Sequence, residues 1–212
     1  DGYFLTNHHV AMGEGCNYLA VSYNKLQGVG KTVVYSEALD LALLKVDAPT
    51  PYFASFDLSE LKPGEKLVAI GYPLSSLLGN TPTVSEGVLM NTSDKKTDLR
   101  LEGMLLISVP ITQGNSGGPI LSGKKGLRGI AMGGWTREGA EKMIKEKFGA
   151  TVNLSSVNLN LMVSGARAFE WIKENANFVK TKVIADSGNR FETDQIAESG
   201  IKSLADVTCY EE

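Results

Sequence analysis

The segment Gln113-Gly114-Asn115-Ser116-Gly117-Gly118-Pro119 is a glycine-rich turn that presents a single serine. A serine alcohol is a weak nucleophile. It needs a base to take its proton and a third group to orient that base. The chain has only two histidines, and both lie in Leu5-Thr6-Asn7-His8-His9-Val10. A carboxylate heads an apolar run at Asp40-Leu41-Ala42-Leu43-Leu44-Lys45-Val46. Taken singly, each segment has an ordinary structural reading: a tight turn, a structural histidine pair, an aspartate at a solvated strand end. Together they supply nucleophile, base and orienting acid in the order His, Asp, Ser, one of three unrelated chain orders in which such triads occur.

These three segments resemble the signature segments of trypsin-fold serine proteases, specifically the bacterial HtrA (Deg) branch. The text between them is similar as well, over Lys62-Pro63-Gly64-Glu65-Lys66-Leu67-Val68-Ala69-Ile70-Gly71-Tyr72-Pro73 and Thr83-Val84-Ser85-Glu86-Gly87-Val88-Leu89. The resemblance covers residues 1–175. It implies an all-β fold of two six-stranded antiparallel β-barrels with the active site between them. Barrel one would span about 1–83, barrel two about 84–163, and a closing helix 164–176. The strand that normally precedes Tyr3 is missing, so barrel one is expected to be incomplete. Residues 177–212 form a C-terminal tail too short for the peptide-binding PDZ domain that the branch usually carries, and no PDZ domain is expected in this chain.

The resemblance assigns Ser116 as nucleophile, His9 as general base and Asp40 as the acceptor that fixes the imidazole tautomer. His9 directly precedes Val10, as the catalytic histidine does in the family, whereas His8 stands where an asparagine is common. Asp47, beyond the strand, is the rival to Asp40. The backbone N–H groups of Gly114 and Ser116 are expected to form the oxyanion hole. Asn115 stands where zymogen-activated trypsins carry an aspartate that captures a newly cut N-terminal amine; an asparagine cannot make that ion pair, so activation of that kind is not expected. The substrate pocket is assigned to Pro110 and Ile111 on one wall and to Ala131, Met132, Gly133 and Gly134 on the other. It holds no acid and is narrowed by Met132, which favours an aliphatic side chain at the cleaved residue. Met132 replaces a Ser or Thr common in the family, so Asp40 must rely on backbone donors or another hydroxyl, with Thr6 a candidate.

Composition sets outer bounds. A 212-residue chain with 42% hydrophobic and 21% charged residues can bury a substantial core. A net charge of −3 without a basic run argues against a nucleic-acid surface. The longest apolar stretch, Met104-Leu105-Leu106-Ile107, is far too short to span a bilayer. The chain opens at Asp1 rather than a methionine and reads as processed or partial. Two adjacent histidines and two distant cysteines match no zinc spacing, and no metal or cofactor is expected. Cys16 and Cys209 leave two alternatives, a disulfide tying the tail to barrel one or two free buried thiols. Gly30-Lys31-Thr32 is no phosphate loop, because Val33-Val34-Tyr35 after it reads as strand rather than helix.

The expected partner is a polypeptide substrate, unfolded or exposed, in a bacterial periplasm, cell envelope or extracellular setting. A homo-oligomer is a further candidate assembly, since HtrA relatives often trimerise through N-terminal residues that this sequence lacks. The alternative function is a binding or chaperone-like module whose protease site is held inactive.

Short β-type runs at Tyr3–Thr6, Tyr18–Tyr23, Thr32–Tyr35, Leu41–Val46, Leu67–Gly71, Val84–Leu89, Leu99–Val109, Ile120–Ser122, Leu127–Met132 and Val157–Met162 are divided by Gly, Asn, Asp and Pro turns. Ser164 predicts an N-cap for a helix with Phe169, Ile172 and Ala176 on one face. A second helix is expected over Arg137–Phe148, inserted beside the pocket, and a short one within Thr193–Ala205, interrupted by Gly200.

Overall fold

Strand β4 (Leu41–Lys45) is apolar at successive positions because both of its faces are buried. Side chains alternate along a strand. Ala42 and Leu44, with Val46 beyond, pack with Leu19 and Val21 in the interior of one barrel. Leu41 and Leu43 turn the other way, into a core shared with Val68, Ile70, Leu121, Ile130, Trp171 and Ile172. Strand β5 (Lys66–Gly71) behaves alike in the second barrel: Leu67 and Ala69 face its interior with Leu105, Ile107 and Ile120, while Val68 and Ile70 face the shared core. Each Leu or Ile taken fully out of water contributes about 1.5–3 kcal/mol, so the shared core fixes the two barrels against each other.

The structure, a computed structural model, describes residues 1–24, 26–73, 79, 81–91, 103–134, 141–142, 145, 149, 151, 160–185 and 188–210. Besides β4 and β5, the strands are β1 (Tyr3–Thr6), β2 (Tyr18–Tyr23), β3 (Leu26–Ser36), β6 (Thr83–Val88), β7 (Met104–Ile107), β8 (Pro119–Ser122), β9 (Leu127–Gly134), β10 (Asn160–Ser164) and β11 (Asp206–Tyr210). They form two antiparallel sheets. One has five strands in the order β1-β4-β3-β2-β11, the other six in the order β6-β5-β8-β9-β10-β7. This is the all-β double barrel expected from sequence. The expected strands at Leu99–Val109 and Val157–Met162 lie partly outside the described residues, as does most of the expected helix over Arg137–Phe148.

Helix α1 (His8–Ala11) is one turn after β1. Helix α2 (Gly165–Asn175) follows β10, and its N-cap is Ser164, whose Oγ accepts from the Arg167 amide at 3.2 Å. Ala168, Trp171 and Ile172 form its buried face, while Phe169 is partly buried and meets the Phe56 ring edge-on. Helix α3 (Thr193–Ser203) starts with a capping box between Glu192 and Gln195. It runs through Gly200 without interruption, because that glycine sits directly on Ile70 and Leu121, where any side chain would collide.

The tail then returns to the first barrel. β11 pairs antiparallel with β2 over Asp206↔Ser22 to Tyr210↔Tyr18. Cys209 is disulfide-bonded to Cys16, with Cα atoms 5.5 Å apart. The edge of β2 is thus covered by the C-terminal strand, which satisfies backbone groups that an open edge would leave bare.

Candidate active site

The register of β1 on β4 decides where the imidazole and the carboxylate meet. Thr6 pairs with Ala42, so the chain leaving β1 and the chain entering β4 emerge side by side. His9 lies just past one end and Asp40 just before the other. Asp40 adopts a left-handed backbone (φ 51°), which an aspartate tolerates better than a β-branched residue does. Its carboxylate accepts from the His9 backbone amide at 2.9 Å through Oδ1 and meets His9 Nδ1 at 2.7 Å through Oδ2. Behind it, the fully buried Asn7 donates from Nδ2 to the Asp40 carbonyl at 2.8 Å. The Asp40 side chain is 12% exposed and that of His9 50%, an arrangement with the carboxylate behind and the imidazole facing out.

It is the His9 ring that meets Asp40. The His8 ring packs instead against Tyr35, with centroids 4.9 Å apart. Asp47 is exposed at the far end of β4. The second donor to Asp40 is the amide of His9 itself. Thr6 makes no hydrogen bond to Asp40 among the described residues; its hydroxyl lies against Gly117.

The serine turn joins β7 to β8 and is clamped to β9 by Gly117 N to Ala131 O at 2.8 Å and Ala131 N to Gly118 O at 2.9 Å. Gly114 (φ 94°) and Gly117 (φ 80°) both have left-handed backbones and close neighbours. A side chain on Gly117 would strike Thr6 and the Asn7 amide, so the glycine lets the serine turn reach the histidine segment. Asn115, Gly117 and Gly118 donate their amides to the fold, whereas among the described residues those of Gly114 and Ser116 do not. Asn115 is 4% exposed, and its Oδ1 has no partner among the described residues. A charged aspartate in that place would be buried without a cation.

His9, Gly114 and Ser116 line one cleft of about 490 Å³ between the barrels, together with Tyr72 and the C-terminal segment from Leu204 to Cys209. None of the residues assigned to the substrate pocket lines this cleft, but Gly133 lies beside Ser116, whose Oγ is 3.7 Å from where a Cβ on Gly133 would sit. Ala131 is buried and Ile111 nearly so, Met132 and Gly133 are partly exposed on β9, Pro110 is exposed, and Gly134 pairs with Asn160. Among the described residues no cluster of histidine, cysteine or acidic side chains could hold a metal, and no helix is long and apolar enough to cross a membrane.

Sequence reasoning misses two parts of this site. Asn7 reads only as part of its motif, yet it fixes the backbone that carries Asp40. The C-terminal wall of the cleft has no local signal, since nothing in Asp206-Val207-Thr208-Cys209-Tyr210 names its strand partner.

A double barrel with an imidazole–carboxylate pair and an exposed serine turn in the cleft is the plan of trypsin-type peptidases. Residues 1–130 match the family model for a trypsin-like peptidase domain, and the chain belongs to that family. It is 32% identical over 174 residues to a probable periplasmic serine endoprotease, DegP-like, of Marinomonas sp. (strain MWYL1), covering 81% of this chain and 36% of that protein. It is 34% identical over 149 residues to the magnetosome formation protease MamE of Magnetospirillum gryphiswaldense, covering 66% of this chain and 18% of that one. The fold is similar to that of the serine endoprotease from Yersinia pestis, with a TM-score of 0.63 at 22% identity, covering 83% of this chain and 54% of that one. Other relatives are named Do-like HtrA serine proteases, among them one of Bacillus subtilis that is 36% identical over 137 residues, covering 60% of this chain and 29% of that one. The chain spans about a fifth to a third of the length of the curated relatives it matches.

Proposed function

We propose that this chain is a serine endopeptidase domain that cleaves exposed or unfolded polypeptides through an acyl-enzyme on Ser116. The observation that carries the reading is the double contact between Asp40 and His9, at 2.9 and 2.7 Å, in the cleft that Ser116 also lines. With Nδ1–H held by Asp40, the imidazole keeps Nε2 free as a base. His9 Nε2 takes the Ser116 proton as Oγ attacks the carbonyl carbon. It returns that proton to the leaving amine when the C–N bond breaks, and water then repeats the sequence on the ester. The amides of Gly114 and Ser116, which meet no backbone acceptor among the described residues, are the donors for the oxyanion; losing one such donor typically raises the barrier by about 3 kcal/mol.

The residue on the acyl side is proposed to be aliphatic, because Ile111, Ala131 and Met132 offer no charge to hold a basic one. The disulfide suits an oxidising compartment, and the periplasmic DegP-like relatives suggest the cell envelope. The test is to incubate the protein and its Ser116→Ala variant with an unfolded protein and to map the new termini by mass spectrometry. Cuts after aliphatic residues, made by the parent alone, are expected. A folded parent that cuts nothing would overturn the reading and favour a binding module.

A further inference from the structure

None of the residues assigned to the acyl-side pocket lines the cleft beside Ser116, although Gly133 borders the serine from the β9 side. A polypeptide crossing Ser116 places its acyl part in that pocket and its leaving part on the opposite side. The cleft is therefore where the leaving part lies, and one of its walls is the C-terminal strand. Ala205, Val207 and Cys209 pack on the core of the first barrel. Alternation along β11 then turns Asp206 and Thr208 outward, away from that core.

Asp206 is half-buried and lines the cleft opposite Tyr72. Among the described residues its carboxylate has one hydrogen bond, from Thr208 Oγ1 at 3.5 Å, and no ion pair. Burial holds its carboxyl above the ordinary carboxylate range, against the small opposing effect of Thr208. Tyr72 is likewise held up by burial, and the negative charge of Asp206 adds to that. A partly desolvated carboxylate without a cation costs stability. The Cys16–Cys209 bond secures the strand that carries it. What is unfavourable in the free protein becomes favourable once a cation enters the cleft.

We propose that Asp206 is a specificity-determining residue on the leaving-group side, selecting substrates that carry lysine or arginine on the C-terminal side of the cleaved bond. This rests on the reading of Ser116 as the acylated residue. A site built around an unpaired polar group discriminates by leaving that group unsatisfied when the wrong substrate binds.

The experiment uses peptides blocked at both ends, so that only a side-chain group offers the cation. Each carries one aliphatic cleavage residue and Lys, Gln or Glu at the first, second or third position after it. At one of these positions kcat/KM should favour Lys over Gln by about tenfold, with Glu lowest. The preference should collapse in Asp206→Asn, reverse toward Glu in Asp206→Lys, and persist in Asp194→Asn, an exposed carboxylate on α3. Labelling of Ser116 by an organofluorophosphonate, which places no group on the leaving side, reports separately on the catalytic reading and on folding of the variants. A parent that labels and cleaves but treats Lys and Gln alike overturns the role of Asp206 alone, as does a preference that survives Asp206→Asn. A folded parent that neither labels nor cleaves overturns both.

Discussion

Replacing Asp40 by Asn tests the geometry of the site with almost no change in shape. The carboxylate now receives two donors from one residue, the His9 amide at 2.9 Å and Nδ1 at 2.7 Å. A carboxamide has one acceptor oxygen and one NH2 group. The backbone amide can only donate, so the amide oxygen must face it and the NH2 must face Nδ1. Nδ1 then has to be an acceptor, which moves the ring proton to Nε2 and removes the base from Ser116. The variant should fold, since the Asn7 bond runs to the backbone carbonyl of residue 40 rather than to its side chain. Its kcat on an unfolded protein substrate should fall about 10⁴-fold, the loss that this exchange produces in a Ser-His-Asp triad, or about 5.5 kcal/mol in barrier. Initial rates and far-ultraviolet circular dichroism should be measured on the same preparations. A natively folded Asp40→Asn protein within tenfold of the parent would refute the argument.

Three further predictions follow from the packing. Arg128, 3% exposed, donates to Glu65 twice at 2.8 Å and to the Asp57 and Glu60 carbonyls at 3.0 and 2.7 Å. Arg128→Ala leaves the buried Asp57 and the partly exposed Glu65 without their cation and should cost about 3–5 kcal/mol in urea unfolding; a loss under about 1 kcal/mol would contradict this. Burial alone would raise the pKa of Asp57, but hydrogen bonds from Ser59 and Ser122 and the Arg128 charge outweigh it and hold the carboxyl below its ordinary value. Its contribution is therefore present above the unfolded pKa, near 4, and is lost as pH falls through the lower folded value. The stability gap between the parent and Asp57→Asn should narrow as urea midpoints are taken at pH values below about 4; a gap that widens there would reverse the sign. Finally, the Cys16–Cys209 bond closes a loop spanning 193 residues of sequence. Reductant should lower the parent's thermal midpoint by the equivalent of about 2–5 kcal/mol and leave Cys209→Ser unaffected, whereas an indifferent parent would show that the bond does not stabilise the fold.

The parts of the fold that are legible in the sequence are those whose residue pattern has a local cause. The runs Leu41–Val46 and Leu67–Gly71 read as strands because burial on both faces makes neighbouring residues apolar. Ser164 reads as a cap because a serine before a periodic apolar face has a local partner, the Arg167 amide. His9, Asp40 and Ser116 stand out by residue type, and the structure brings His9 Nδ1 to 2.7 Å from Asp40 in the cleft that Ser116 also lines. What stays hidden depends on distant contacts. Gly200 reads as a helix interruption, yet its lack of a side chain is what lets α3 lie on Ile70 and Leu121. β11 is five residues long, and its partner β2 lies near the opposite end of the chain. Thr6 is a candidate donor by residue type, whereas the donor in place is the His9 amide, which no side-chain pattern reveals.

Whether the His9–Asp40 pair activates Ser116 is read most directly by covalent labelling, which needs no substrate. The native protein, its His9→Ala variant and its Ser116→Ala variant should be treated with an organofluorophosphonate and the adduct located by peptide mass spectrometry. One adduct is expected, on Ser116, formed rapidly in the parent, slowed by several orders of magnitude in His9→Ala and absent in Ser116→Ala. Equal labelling of the parent and His9→Ala, or no adduct on Ser116 in a folded parent, would contradict it.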